Sequence, residues 1–198
     1  MNKQDYNNKI IDDAVSILND DGIIVVPTDT VYGLAVRSDS EVAINKVFEV
    51  KKRDFSKKLP YIVDTYKRLK ELCEITDDVL KRIQPFFPGK LTVVLKKTNS
   101  DDTIAVRMID NEIINRIIDK IDCPLLLTSA NISDEEVSDD IMKIVDIFDG
   151  KIDMIIMGNK VGKVSSTIVD LSEGDIKLIR EGSISFDKIR KYYYEEIV

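Results

Sequence analysis

Short continuous runs of apolar residues alternate along the chain with stretches in which apolar residues recur every three or four positions. The runs are typical of buried strands, and the spaced patterns are typical of amphipathic helices. Strands are predicted over residues 23–26, 34–36, 59–63, 91–95, 104–106, 125–127, 154–157, 166–171 and 176–179. Helices are predicted over residues 12–19, 41–50, 76–87, 111–118, 141–148 and 185–194. Because the two kinds of element alternate irregularly, we predict an α/β (α+β) fold with a mixed sheet.

The composition fits one globular domain. The chain has 198 residues, of which 43% are hydrophobic, and this is enough to build the core of a single domain over residues 1–198. No apolar run reaches the roughly 20 residues that a membrane span needs, and residues 1–9 lack the apolar stretch of a signal peptide. We therefore expect a cytoplasmic protein with no membrane partner.

The absence of histidine excludes several kinds of chemistry. Mechanisms with a histidine base and metal sites with histidine ligands are ruled out. Cys73 and Cys123 lie far apart, which argues against a zinc site or a disulfide framework. Chemistry must then depend on hydroxyls, carboxylates, lysines, arginines, backbone amides or a bound metal. The net charge of −7 disfavours a general nucleic-acid coat protein, although an acidic chain can carry a local basic patch.

A polar segment at residues 27–34 follows the first predicted strand and reads Pro-Thr-Asp-Thr-Val-Tyr-Gly-Leu. Pro27 cannot donate to a strand ladder, and Gly33 has the backbone freedom that a sharp turn needs. The threonines and the aspartate between them are ordinary residues of a polar β-turn, and they equally suit a ligand-binding loop. A second polar segment, residues 128–133, also follows a predicted strand, and loops at strand ends often meet in one crevice.

Cations are concentrated in residues 51–58, which hold five positive charges and one negative charge. Such a cluster is typical either of a solvated helix end or of a polyphosphate clamp, in which arginine makes bidentate contacts and lysine acts as a point charge. Farther along, Thr103 and Arg107 lie on one face of a predicted strand. Arg107 suits a substrate carboxylate, and a surface ion pair with Asp110 or Glu112 is an equally good interpretation.

Taken in their order and spacing, these and other short motifs resemble the YrdC family of threonylcarbamoyl-AMP synthases. The resemblance runs from about residue 10 to residue 182. Its carriers are residues 27–34, Lys51-Lys52-Arg53 for the family's KxR, residues 87–92, residues 105–107, Ser129-Ala130-Asn131 for SxN, residues 166–170 and residues 179–182. Each motif is weak alone, and the combination is highly specific.

The resemblance implies a twisted mixed sheet flanked by helices around a deep, positively charged cavity. It also implies a nucleotidyltransferase that joins L-threonine, bicarbonate or CO2, and ATP into L-threonylcarbamoyladenylate and releases pyrophosphate. Mg²⁺ would come with ATP and need no dedicated protein ligands. Partner proteins would use the adenylate to modify tRNA next to the anticodon, and weak contact with RNA is compatible with this role. The length resembles the short form of the family, a single catalytic domain.

Site residues follow from the same resemblance. Threonine would be bound by Thr30, Arg107 and Ser129. ATP or the adenylate would be bound by Lys51, Arg53, Lys57, Thr103, Asn131, Ser166 and Arg180. Lys51 and Arg53 would also be catalytic, because they would oppose charge on the transferring group and on the leaving pyrophosphate.

The chain departs from the family pattern at three positions. Asp54 replaces a proline, and its carboxylate would weaken phosphate binding unless it faces solvent. Asp134 replaces a glycine, so the loop that follows Asn131 is expected to differ. Some members have a histidine at the position of Ile62, where this chain offers threonine only apolar or backbone contact.

Two other functions are considered beside this one. A non-catalytic RNA-binding module is disfavoured by the net charge of −7 and by the lack of interleaved aromatic and basic residues. The same fold also occurs within a carbamoyltransferase of hydrogenase maturation. That protein would need acylphosphatase and zinc-finger segments, for which 198 residues with two cysteines leave no room.

Overall fold

The computed structural model describes residues 3–158 and 162–195 of the chain. Within these residues the strands belong to one mixed sheet. They are β1 (Ile24–Pro27), β2 (Tyr32–Arg37), β3 (Tyr61–Val63), β4 (Leu91–Lys96), β5 (Thr103–Met108), β6 (Leu125–Ser129), β7 (Met154–Ile155), β8 (Thr167–Asp170) and β9 (Lys177–Arg180). Their order across the sheet is β7-β1-β2-β6-β3-β5-β4-β8-β9.

Parallel and antiparallel neighbours are mixed in this sheet. The pairs β7–β1, β3–β5 and β4–β8 are parallel, and the remaining pairs are antiparallel. Strands far apart in sequence therefore lie side by side, as when Gly33 of β2 pairs with Ser129 of β6. The mixed sheet with flanking helices confirms the predicted α/β (α+β) class.

Helices pack on both faces of the sheet. They are α1 (Lys3–Asn19), α2 (Glu41–Lys51), α3 (Tyr66–Leu72), α4 (Asp77–Ile83), α5 (Glu112–Ile121), α6 (Ile141–Phe148) and α7 (Phe186–Tyr194). Ser40 caps α2 as predicted, since its Oγ accepts a hydrogen bond of 3.0 Å from the Ala43 amide. No helix of the described residues is long and apolar enough to cross a membrane.

Three helical segments differ from the prediction. Helix α1 was predicted over residues 12–19 but begins at Lys3. The helix predicted over residues 76–87 ends at Ile83, and Gln84–Phe86 forms a short 3₁₀ turn. Pro85 explains the end, because it has no amide hydrogen to continue the α-helical ladder. Helix α3 was not predicted, since it has seven residues and only Leu69 is buried, which is too few for a recognisable apolar spacing.

Three apolar clusters form the core, and their arrangement leaves part of the sheet uncovered. Helices α2 and α6 cover one face near β1 and β2, and helices α3, α4 and α7 cover the same face near β4 and β5. On the opposite face, α1 and α5 cover β1, β2 and β6 and reach as far as Ile62 of β3. Beyond Ile62, this face carries Ala105, Thr92 and Ile168, which border a cavity.

Candidate active site

The cavity on this uncovered sheet face, which we call the sheet-face cavity, has a volume of about 160 Å³. Its polar lining consists of hydroxyl groups and cations, and among the described residues no carboxylate lines it. The hydroxyl residues are Thr28, Thr30, Thr92, Thr128, Ser129, Ser165 and Ser166, and the cationic residues are Arg53, Lys58, Arg107 and Arg180. The lining therefore favours an anionic ligand with several hydrogen-bonding groups.

Strand periodicity explains why distant motifs meet here. Side chains two positions apart point to the same face of a strand. Ala105 and Arg107 of β5 accordingly both line the cavity, as do Leu127 and Ser129 of β6. Because β5 and β6 are both hydrogen-bonded to β3, their lining residues lie close together although they are separated along the chain.

The segment that follows β1 is ordered by the Thr28 hydroxyl. Thr28 Oγ1 accepts hydrogen bonds of 3.1 Å from the amides of Thr30 and Val31 and donates one of 2.6 Å to the Val31 carbonyl. Thr30 Oγ1 lies 3.0 Å from Thr28 Oγ1. Either hydroxyl can be the donor across this contact. Thr30 also lines the cavity, where its hydroxyl can make a hydrogen bond with a ligand.

Arg107 is held at three points in the wall of the cavity. Its Nε donates to the Gly89 carbonyl (2.9 Å), one terminal nitrogen donates to Thr30 Oγ1 (3.1 Å), and the other forms an ion pair with Asp29. The residue is only 5% exposed. Burial lowers the pKa of Arg107, although an arginine stays protonated. The fixed guanidinium keeps two N–H groups for a ligand carboxylate.

Lys51 lies behind the cavity wall and does not line it. The residue is 1% exposed, and its ammonium donates to the carbonyls of Ser129 (2.5 Å) and Asn131 (2.6 Å) and to Asn131 Oδ1 (3.3 Å). Ser129 Oγ donates to the same Oδ1 (2.6 Å). Burial, and to a smaller extent Arg53, lower the pKa of Lys51 to about 7. Lys51 therefore fixes the loop that contains Ser129 and Asn131.

The basic segment after α2 divides into inward and outward side chains. Arg53 lines the cavity, and its guanidinium donates to the carbonyls of Lys57 (2.8 Å) and Lys58 (3.3 Å). Lys57 points outward and pairs with Asp134 at 2.9 Å. Asp54 is exposed, and its Oδ1 accepts a hydrogen bond of 2.8 Å from the Ser56 amide. The carboxylate that replaces the family's proline thus faces solvent and stabilises a turn.

Asp134 adopts a backbone conformation that favours glycine. Its φ of 67° lies in the left-handed region that glycine adopts most readily. The side chain extends towards Lys57 and joins the loop after Asn131 to the basic segment. Ile62 is the third position at which the chain departs from the family pattern. Its side chain lines the cavity and offers only apolar contact.

The far wall is built by Ser166 and Arg180. Ser166 Oγ lies 2.8 Å from Thr92 Oγ1, and the Arg180 guanidinium donates to the Ser166 carbonyl (2.9 Å). Burial lowers the pKa of Arg180. A Cβ atom at Gly182 would lie 2.3 Å from the Ser165 carbonyl oxygen, so only glycine allows the two segments to approach this closely.

Six of the ten predicted site residues therefore line one cavity. They are Thr30, Arg53, Arg107, Ser129, Ser166 and Arg180. The other four, Lys51, Lys57, Thr103 and Asn131, do not line it. Asn131 is buried beside Lys51, and Thr103 lies at the start of β5, two residues before Ala105. Their roles in binding stay predictions.

Several lining residues were not predicted. Thr28, Lys58, Thr92, Thr128 and Ser165 all border the cavity. Thr28 and Lys58 belong to polar segments that the sequence analysis singled out, so these segments were a usable signal. Thr92 belongs to the motif at residues 87–92 and Ser165 precedes the motif at residues 166–170, but hydroxyl residues at strand ends are common, and neither was assigned a role. Among the described residues, no group of three or more cysteine, aspartate or glutamate side chains could hold a metal ion.

Comparison with known proteins gives a consistent assignment. The family model Sua5/yciO/yrdC, described as "Telomere recombination", matches residues 16–182. The chain is 33% identical over 189 residues to the threonylcarbamoyl-AMP synthase of Pyrococcus abyssi, covering 90% of this chain and 55% of that protein. It is 32% identical over 176 residues to a Methanocaldococcus jannaschii protein that carries the same name provisionally, covering 85% and 84% of the two chains.

The fold is also similar to a solved structure with a bound amino acid. The crystal structure of P. abyssi Sua5 in complex with L-threonine superposes with a TM-score of 0.86 at 32% identity. The match covers 93% of this chain and 57% of that one. The chain thus spans little more than half the length of the P. abyssi protein.

Proposed function

Because the chain belongs to the Sua5/yciO/yrdC family, we propose that it joins L-threonine, bicarbonate or CO2, and ATP into L-threonylcarbamoyladenylate, with release of pyrophosphate. The activity named for the P. abyssi relative and the threonine bound to P. abyssi Sua5 support this proposal. The main support within this molecule is the convergence of three arginines on one cavity that no carboxylate lines.

The arrangement of the cavity suits the two substrates. Arg107 offers two N–H groups to the carboxylate of threonine, beside the acceptor oxygen of Thr30. Arg53, Lys58 and Arg180 supply the positive charge that a triphosphate requires. Burial lowers the pKa of Arg53, and the positive charge of Arg180 lowers it further, which indicates that the two charges lie close together. An anion between them would relieve this repulsion.

The reaction needs no protein nucleophile. The amine of threonine would take up CO2 or bicarbonate, and an oxygen of the resulting N-carboxylate would attack the α-phosphorus of ATP in line. The residues of the cavity would position the reactants and stabilise developing charge, which are the main contributions in phosphoryl-type transfers. This accounts for an enzyme that contains no histidine.

The remaining components are proposed on the same basis. Mg²⁺ would arrive as part of the Mg²⁺–ATP substrate, with the phosphates as its ligands. The adenylate hydrolyses readily, so partner proteins that modify tRNA next to the anticodon would receive it soon after its release. Weak contact with RNA at the basic segment is compatible with this transfer. A cytoplasmic location is part of the same proposal.

The assay that tests this function is pyrophosphate release by the purified chain with Mg²⁺–ATP, bicarbonate and L-threonine. We expect release that depends on all three substrates, and the adenylate should be identified by mass spectrometry. Reactions without bicarbonate test whether bicarbonate is required. Reactions with L-serine in place of threonine test whether the enzyme is selective for threonine. A chain that binds RNA but releases no pyrophosphate would instead support the RNA-binding alternative.

Arg53→Ala is expected to lower the rate of pyrophosphate release by roughly 10²–10³-fold, because one charged donor near the transferring group is lost. The protein should stay folded, since Arg53 is half-buried and its hydrogen bonds stay within its own loop. Steady-state rates and circular dichroism measure the two effects. Lys52→Ala is a matched control, because Lys52 is the exposed neighbouring cation and does not line the cavity. Near-normal turnover of the Arg53 variant would contradict its placement beside the phosphates.

A further inference from the structure

Asp29 carries a buried carboxylate oxygen that no hydrogen bond satisfies. Its Oδ1 is paired with Arg107, whereas Oδ2 is buried and has no hydrogen-bond partner within the described residues. Buried polar atoms are nearly always hydrogen-bonded, and those that are not need an explanation. The side chain is 13% exposed and lies behind the cavity wall, on the loop that follows β1 between Thr28 and Thr30, so a ligand meets it by competing with Oδ1 for Arg107.

This carboxylate lies beside the group that would bind the carboxylate of threonine. An amino acid carries its ammonium on the carbon next to its carboxylate, so a carboxylate on Arg107 brings the ammonium close to Arg107 and its neighbours. Thr30 Oγ1 is an acceptor beside this group, because it accepts a hydrogen bond from Arg107 and its residue lines the cavity. An ammonium is the part of threonine that suits such an acceptor.

The reaction requires a base at this position. The ammonium of threonine has no lone pair and cannot form a bond to carbon until it loses a proton. We propose that Asp29 accepts this proton, and this inference rests on the function proposed above. Asp29 thereby turns bound threonine into its nucleophilic amine.

The proton and electron balance of the step is complete. The ammonium gives one proton to Asp29, and the freed lone pair of nitrogen forms the N–C bond with the carbon of bicarbonate. The C–O bond to the hydroxyl breaks, and this hydroxide leaves as water with a second proton from nitrogen. The third proton stays on the nitrogen of the N-carboxylate. Solvent then takes the proton from Asp29 and restores the carboxylate.

The surroundings of Asp29 favour proton uptake. Burial raises the pKa of this carboxyl, while the charges of Arg107 on β5 and of Lys90 before β4 lower it, and Asp110 after β5 raises it. A substrate carboxylate on Arg107 adds a second negative charge and competes for the guanidinium. Both effects of the bound substrate raise the pKa further, at the moment when the base is needed.

The test compares Asp29→Asn with the wild type in two directions of the reaction. The variant keeps an oxygen for Arg107 and loses the base. We expect its pyrophosphate release near neutral pH to fall by roughly 10²–10⁴-fold, with little change in the KM for threonine. Its rate should then increase about tenfold per pH unit, because the free amine of threonine increases by that factor. The reverse half-reaction, in which the adenylate and pyrophosphate form ATP, should be retained.

Two further variants make the result decisive. Asp101→Asn removes an exposed carboxylate that does not line the cavity, and it should keep the wild-type rate and pH profile. Asp29→Glu keeps a base, so its rate should not increase tenfold per pH unit. This variant tests the proposal even where Asp29→Asn does not fold. A wild-type rate in Asp29→Asn, a steep pH dependence in Asp29→Glu, or loss of the reverse half-reaction in folded Asp29→Asn would overturn this role. Absence of wild-type pyrophosphate release would overturn the proposed function itself.

Discussion

Replacement of Arg107 by alanine is expected to raise the KM for threonine by roughly 30- to 10³-fold, with a smaller effect on the KM for ATP. Truncation of one partner in a buried, hydrogen-bonded charge pair costs about 2–5 kcal/mol of binding free energy, and this factor follows from the lower part of that range. The side chain is suited to this role because three contacts fix it and two N–H groups are left over. Initial rates at varied threonine concentrations provide the measurement.

Arg107→Lys separates charge from geometry in the same experiment. Lysine keeps the positive charge, but its three N–H groups would all be needed by Gly89, Thr30 and Asp29, and none would be left for the carboxylate of threonine, so its KM should stay well above the wild-type value. Arg107→Ala also leaves Asp29 buried without its partner, and the melting temperature should fall. An unchanged KM in the alanine variant would show that the carboxylate of threonine binds elsewhere.

Replacement of Lys51 by methionine is expected to lower the rate of pyrophosphate release by roughly 10²-fold or more, by analogy with the loss of a positioned donor. The methionine fills the same space, but the ammonium that holds Ser129 and Asn131 is gone. The Asn131 carbonyl then loses its donor, whereas the Ser129 carbonyl keeps the Asn131 amide and Asn131 Oδ1 keeps the Ser129 hydroxyl, so the one unsatisfied group costs about 1–3 kcal/mol of the free energy of unfolding before relaxation. Rates and urea unfolding measure the two effects, and Lys52→Met is the exposed control.

Lys51 should also make the free energy of unfolding of the wild type depend on pH. Burial and Arg53 lower the pKa of Lys51 to about 7 in the folded protein. An ordinary lysine has a pKa of about 10.4, so between these values the unfolded chain binds more protons at this site. The free energy of unfolding should therefore rise with pH from about 7 upwards, by at most about 1.4 kcal/mol per unit. The cost of the buried charge is fully present below pH 7.

Urea unfolding of the wild type and of Lys51→Met from about pH 6 to about pH 9 tests this dependence. The wild type should gain stability relative to the variant as the pH rises through 7. Parallel curves for the two proteins would mean that Lys51 keeps its ordinary affinity for protons. In that case the hydrogen bonds from Lys51 to three oxygens would offset the effect of burial on its pKa.

Much of the fold was predictable because it depends on short-range patterns. The apolar spacing of residues 41–50 and the position of Ser40 predicted α2 almost to its ends. Helix α3 was missed because its amphipathic pattern spans only two turns. The end of α4 was overestimated, although Pro85 stood in the sequence as a sufficient reason for it.

The sequence by itself determined the types of group available for chemistry. The motif residues, the hydroxyl segments and the cations were evident from their order along the chain, and the lack of histidine restricted the mechanism. The tertiary structure decided which of these groups share one space. Strand pairing and alternation bring Arg107 and Ser129 to one face, whereas the side chain of Lys57 turns outward to Asp134.

Burial was likewise decided only by the tertiary structure. Lys51 and Arg53 stand two positions apart in one motif, but Lys51 is enclosed by carbonyl oxygens and Arg53 opens onto the cavity. The pairing of Asp29 with Arg107, which are 78 positions apart, depends on the meeting of the loop after β1 with strand β5. A sequence states which charges exist. The packing around each charged group decides its partners and how far it is desolvated. These two factors set its pKa and the role that it can have in the site.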